Sequence, residues 1–175
     1  MRFCIVSHLV AHPRFEYEFS TIFLHGTRGL QLDILARQAL WNEGVNYASG
    51  TGHGVGYVNN VHEGPPSISS GLIDQAILPG MVVTNEPGVY LPGRYGIRIE
   101  NILLCQAHST TEHGKFYRFE ALTLCPIDVR VVRKDLLGEQ ETAYLNAYHA
   151  SVLEKLSPHL QGQDLRFLQQ ACAPL

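Results

Sequence analysis

Residues 50–56 read Gly-Thr-Gly-His-Gly-Val-Gly, and six positions further on His62 opens the run His-Glu-Gly-Pro-Pro. Glycine is the residue that tolerates close approach and unusual backbone angles, at an entropic cost. A chain that surrounds one histidine with four glycines is therefore expected to form a loop there. Such a loop holds an imidazole where a substrate or a metal can come close to the backbone. The whole of residues 50–71 is rich in glycine and proline and reads as loop.

The flanking segments supply the scaffold. The stretch 26–47 predicts a helix, with Leu30, Leu32, Ile34, Leu35 and Leu40 as its apolar stripe and Gly44 as its C-terminal cap. From Leu78 onward, β-rich runs alternate with turns. Met81–Thr84 predicts a strand entering the turn Asn-Glu-Pro-Gly, Ile97–Cys105 a second strand, and 116–127 a third, stopped by Pro126. Residues 134–160 predict one helix, with Leu136, Leu137, Tyr144, Leu145, Tyr148, Val152 and Leu156 at helical spacing. No repeat or low-complexity segment interrupts this order.

Composition narrows the function classes. The chain has 175 residues, 45% of them hydrophobic, enough for a packed core. Lys and Arg number 13 against 16 Asp and Glu, a net charge of −3 that does not fit a nucleic-acid or anionic-membrane binder. No run approaches the ~20 apolar residues a membrane helix needs. The first 13 residues do not read as a secretory signal, because their apolar run is short, is broken by His8 and has no cleavage site after it. Four cysteines, Cys4, Cys105, Cys125 and Cys172, lie far apart with no C-x-x-C pair. Free thiols in the reducing cytoplasm are the expectation. Nine histidines direct attention to metal or acid–base chemistry.

Three side chains form the strongest candidate constellation. Glu100 follows Arg98 on one face of a strand whose other face carries Ile97 and Ile99. A carboxylate in such a strand needs a cation or a partner, and Arg98 could be that partner. Glu86 stands where a strand runs into a Pro-Gly turn, and His53 stands among the glycines. Taken singly, each also reads as an ordinary turn, loop or ion-pair residue. Taken together, one imidazole and two carboxylates make an N/O donor set suited to Mn²⁺, Zn²⁺, Co²⁺ or Fe²⁺.

The segments "GTGHGVGYVNNVHEGPP", "LPGMVVTNEPGVYLPGRYGIRIENILL" and "FEALTLCPIDVRVV" resemble the C-terminal part of the catalytic domain of Xaa-Pro aminopeptidases (aminopeptidase P), metallopeptidases of the pita-bread fold. The likeness runs from about Phe19 to the C-terminus. It makes 1–18 an unmatched N-terminal segment and 19–175 the C-terminal portion of the peptidase domain, helical tail included. The implied fold is α+β: the second half of a pita-bread domain, a curved antiparallel sheet flanked by helices. The implied metals are two divalent ions, usually manganese, held by two Asp, one His and two Glu. Carried onto this sequence, His53 and Glu86 are metal ligands and Glu100 bridges the metals. Glu86 and His62 are the catalytic candidates. His62 also lines the substrate site, with Arg98 in support. The implied substrates are peptides with proline second, and a homodimer is common in the family.

Two departures accompany the resemblance. The family's metal-binding aspartates lie upstream of the helix, whereas here no Asp precedes Asp33, which matches a structural aspartate of the family. Glu16 and Glu18 are the upstream carboxylates, and nothing around them marks them as replacements. Ser49 stands where the family has a histidine that contacts substrate. Serine can donate a hydrogen bond but is shorter and does not titrate near neutral pH. The expectation is a truncated, inactive or weakly active form, with at most one metal ion, manganese before zinc or cobalt. Without the first half-domain, a sheet edge and an apolar face would be left uncovered. The alternative is a non-catalytic peptide-binding module built on the same fold.

Overall fold

A computed structural model describes residues 21–42, 44–58 and 60–175. The segment 1–18, with Glu16, Glu18 and Cys4, lies outside the described residues. The chain forms two compact units, one ending at Thr123 and the other comprising Leu124–Leu175.

The first unit is organised by helix α1 (Gly29–Asn42) and a four-stranded antiparallel sheet. The strands are β1 (Phe23–Leu24), β4 (Val82–Asn85), β7 (Asn101–Thr111) and β8 (Gly114–Ala121), in the spatial order β1-β8-β7-β4. Two short antiparallel pairs accompany the sheet: β2 (Gly52–His53) with β3 (Ser67–Ile68), and β5 (Gly88–Leu91) with β6 (Tyr95–Arg98). Val83, Leu103, Cys105, Tyr117, Phe119 and Phe23 fill the core of the sheet, and Leu32, Ala36 and Leu40 bury one stripe of α1. Burial pushes the Cys105 thiol up to about 11, so it stays protonated and packs as a small apolar group. Cys105, Cys125 and Cys172 are all free thiols.

Several boundaries differ from those read off the sequence. Helix α1 starts later than 26 because Gly26 sits at φ 89°, in a turn closed by the Thr27 amide on the Leu24 carbonyl. It ends as expected, before Gly44 at φ 69°. The single strand expected over 97–105 is two strands with different partners. Residues to Arg98 pair with β5, whereas β7 from Asn101 pairs with β4 and β8. Ile99 and Glu100 are the crossover between ladders. The third strand stops at Ala121 rather than near Pro126.

The second unit is helical. Helix α2 (Glu139–Leu156) begins at Gly138, and the expected earlier start is a separate three-ten turn over Lys134–Leu136. Leu145, Tyr148, His149 and Val152 form its buried stripe. It gives way at Ser157 to a three-ten turn containing Pro158. Helix α3 (Gly162–Ala171), absent from the sequence expectation, buries Leu168 and leaves Phe167 exposed. Among the described residues no helix is long and apolar enough to cross a membrane.

Candidate functional site

The glycine loop and the ends of β4 and β6 bring His53, His62, Glu86, Arg98 and Glu100 together. His53 closes strand β2. Its amide donates to Thr84 Oγ1 at 3.0 Å, and Gly54, the next residue, bridges to Val83 of β4. Glu86 follows β4 directly, and its amide donates to the Thr51 carbonyl at 2.7 Å. As a result the His53 and Glu86 side chains meet, with Nε2 2.7 Å from Oε1.

The chemistry of that contact is constrained on both sides. His53 Nδ1 lies 2.9 Å from the Gly54 carbonyl, an acceptor, so Nδ1 carries a proton. Nε2 therefore faces the carboxylate oxygen across a gap that only a proton or a cation can bridge favourably. Thr84 Oγ1 donates to the same Glu86 oxygen at 3.0 Å.

Glu86 Oε2 faces Arg98, 3.3 Å from Nη1, and Arg98 Nε lies 3.2 Å from Glu100 Oε2. The guanidinium thus stands between the two carboxylates, which combines the Arg98–Glu100 pair with the convergence expected of a ligand set. Glu86 is the most buried of the three: the side chains of Glu86, Arg98 and Glu100 are 15%, 47% and 38% exposed.

His62 reaches the cluster through the loop. The Gly54 amide donates to the Pro66 carbonyl at 2.8 Å, and the Glu63 amide donates to the Gly54 carbonyl at 2.9 Å. This folds the loop back and sets the His62 ring 4.1 Å from that of His53, centroid to centroid. His62 is exposed, free to meet a ligand. Ser49 is exposed too and is held through its carbonyl, which accepts from Arg37 Nη2 at 2.7 Å.

Three glycines of the loop are required by close packing. A Cβ on Gly52 would lie 1.9 Å from the Thr84 carbonyl oxygen, one on Gly54 2.0 Å from the Glu63 carbonyl oxygen, and one on Gly56 2.5 Å from Glu63 Oε2. Their bareness lets protein pack against protein around His53.

Behind the loop lies a buried polar network that sequence reasoning missed. Arg37 Nε donates to Asp33 Oδ2 at 2.6 Å, and the Thr51 hydroxyl donates to Asp33 Oδ1 at 2.6 Å. Tyr47 Oη and Thr51 Oγ1 are 2.5 Å apart. Arg37 Nη1 also donates to the Tyr47 carbonyl at 2.7 Å, and the guanidinium lies over the Tyr47 ring, 4.1 Å from its centroid. The available signal was Asp33 and Arg37 at i and i+4 inside an apolar helix.

Whether these residues fit a divalent ion can be judged from the donor set. His53 Nε2 and Glu86 Oε1 converge, but Glu100 is turned to Arg98. Among the described residues no group of three or more His, Cys, Asp or Glu is arranged to hold a metal. The expected triad exists as one pair and one diverted carboxylate, which is not by itself a metal centre.

Comparisons with known proteins agree with this architecture. The metallopeptidase family M24 model matches residues 18–107, and the model for the C-terminal region of peptidase M24 matches 115–175. A probable Xaa-Pro aminopeptidase P of Laccaria bicolor is 43% identical over 163 residues, 89% of this chain and 25% of that protein. The chain belongs to metallopeptidase family M24. The M24 X-prolyl aminopeptidase of Caenorhabditis elegans, described as a cytosolic enzyme with a di-nuclear active site, superposes with a TM-score of 0.87 at 38% identity, covering 99% of this chain and 29% of that one. A Xaa-Pro dipeptidase from Bacillus anthracis reaches 0.52 at 28% identity over 71% of this chain and 32% of its own. The likeness identifies the sheet and helices as part of the pita-bread fold. The chain spans about a quarter of the length of the curated M24 relatives it matches.

Proposed function

We propose that this chain supplies the His53–His62–Glu86–Arg98–Glu100 portion of an Xaa-Pro aminopeptidase site, which removes the first residue from peptides with proline second. The observation that carries this reading is the unbroken line of contacts from His62 through His53, Glu86 and Arg98 to Glu100. Similarity to the Laccaria bicolor and Caenorhabditis elegans proteins supports the substrate class.

Hydrolysis adds hydroxyl to the acyl carbon and a proton to the proline nitrogen. In our reading Glu86 accepts the proton of the attacking water, and the exposed His62 delivers one to the departing nitrogen. Arg98 and Ser49 face the peptide from the outer side, Arg98 also restraining both carboxylates. Manganese is the proposed ion, ahead of zinc and cobalt, with His53, Glu86 and Glu100 as donors. Holding it requires Glu100 to leave Arg98 and further donors beyond those gathered here. We further propose a cytoplasmic setting, in keeping with the free thiols and with the relative described as cytosolic, and a homodimer.

The test is release of the first residue from an Xaa-Pro peptide against an Xaa-Ala control, in the presence of Mn²⁺. Turnover selective for Xaa-Pro that falls ~10²–10⁴-fold in Glu86→Gln supports the reading. Equal rates for the protein and for Glu86→Gln reject it. The diverted Glu100 favours a second reading, a peptide-binding module without turnover. Calorimetry that shows proline-second peptides binding at unchanged strength with and without metal, and no cleavage, would select it.

A further inference from the structure

The His53–Glu86 pair is held from the protein side by two threonines, one through its hydroxyl and the other through its carbonyl. Thr84 is 1% exposed, and its Oγ1 touches both partners: it accepts the His53 amide at 3.0 Å and donates to Glu86 Oε1 at 3.0 Å. Thr51, also 1% exposed, acts one step back. Its hydroxyl is locked between Tyr47 and Asp33, and its carbonyl receives the Glu86 amide. A hydroxyl has one proton to donate and lone pairs to accept, so in both threonines its donor and acceptor roles are used.

We infer that Thr84 is a positioning residue for the His53–Glu86 pair, and that Thr51 ties the pair to the buried Asp33–Arg37 network. Donation by Thr84 to Oε1 fixes which carboxylate oxygen faces His53 and leaves Oε2 for Arg98. Acceptance from the His53 amide fixes the height of the ring above β4. Valine has nearly the same shape as threonine but can do neither, and it leaves the part-buried His53 amide without this partner. Serine keeps the hydroxyl. This inference rests on His53 and Glu86 being the functional pair.

The test compares Thr84→Val, Thr84→Ser and Val83→Ala, the last a neighbouring core variant that destabilises β4 without touching either hydroxyl contact. Thermal melting reports folding, and NMR reports solvent exchange of the His53 ring protons and the His53–His62 ring contact. Expected in Thr84→Val is ring-proton exchange at least ~10-fold faster at temperatures where the variant is folded, the increase following from loss of about 1.4 kcal/mol of restraint. Expected in Thr84→Ser is recovery to within about threefold of the parent. Expected in Val83→Ala is a lower melting temperature with the ring signals unchanged. The inference is overturned if Thr84→Val leaves exchange unaltered, if Val83→Ala alters it equally, or if serine fails to rescue it. Because the measurement uses neither peptide nor metal, an inactive protein with the expected signals would defeat the functional reading and leave the positioning result standing.

Discussion

Two arginine–carboxylate pairs flank the same loop and behave in opposite ways. Asp33–Arg37 is buried, with side chains 1% and 5% exposed, and Arg98–Glu100 is open, at 47% and 38%. In the buried pair, the guanidinium meets Asp33 and two loop carbonyls, and both Asp33 oxygens are bonded, so the cost of removing two charges from water is offset by hydrogen bonds on every side. In the open pair, water competes for each contact, and one guanidinium is shared between two glutamates. The difference is one of constraint: the buried pair fixes the loop, whereas the open pair is held loosely enough to exchange its contacts with water.

The largest effect that would sharpen this contrast is breaking the buried pair. Asp33→Asn leaves Arg37 as an uncompensated buried charge and is expected to cost about 3–5 kcal/mol in chemical denaturation. A loss below ~1 kcal/mol would place the two pairs in one class. Next comes Gly52→Ala, whose new methyl would meet the Thr84 carbonyl at 1.9 Å. Separating β2 from β4 is expected to cost at least ~1–3 kcal/mol. Crystallography of the variant should show His53 moved away from Glu86.

The helical unit extends the comparison to a buried base that is paired on one side. His149 is fully buried, and its Nε2 accepts the Ile127 amide at 3.1 Å. Burial holds its pKa below the ordinary 6.5, and an Nε2 lone pair engaged by the Ile127 amide likewise disfavours protonation. The folded state therefore prefers the neutral ring. Its stabilisation is complete above pH 6.5 and is lost as the pH falls below that value, because the unfolded chain takes up the proton first. The slope should approach at most ~1.4 kcal/mol per pH unit, and His149→Gln should flatten it in denaturation curves recorded from pH 8 to 5. An unchanged slope in that variant would show that another group is responsible.

The smallest expected effect belongs to the open pair. Arg98→Met should change stability by no more than ~1 kcal/mol, while freeing Glu86 Oε2 and Glu100. A destabilisation as large as that of Asp33→Asn would erase the distinction drawn between the pairs.

The candidate residues were named in sequence from their chemistry for His53, Glu86 and Glu100, and from the family resemblance for His62 and Arg98. His53, His62, Glu86, Arg98 and Glu100 stand in glycine, proline and turn contexts that no ordinary core requires, and the structure brings all five into one row. The supporting residues were not legible. Thr51, Thr84 and Tyr47 look like any strand or loop residue until the chain folds, since these contacts join residues 4, 18 and 31 positions apart in sequence. Strand boundaries failed at Ile99–Glu100 for a related reason. Residues 97–105 have one continuous β pattern, and only partner choice divides them between two ladders. Helix α3 was missed because its buried contact reduces to Leu168 within a polar segment.

By itself, the sequence determined helix α1 with its C-terminus at Gly44, the β-rich character of the middle of the chain and the candidate donor side chains. Those follow from local backbone preference and from side-chain chemistry, which each residue carries wherever it is placed. Tertiary structure decided what the glycines are for, which oxygen of Glu86 faces His53, and that Arg98 rather than a third donor meets Glu100. Those depend on close contacts that exist only after packing has fixed both sides, and at Gly52 and between His53 and Glu86 the two sides are more than 30 positions apart in sequence.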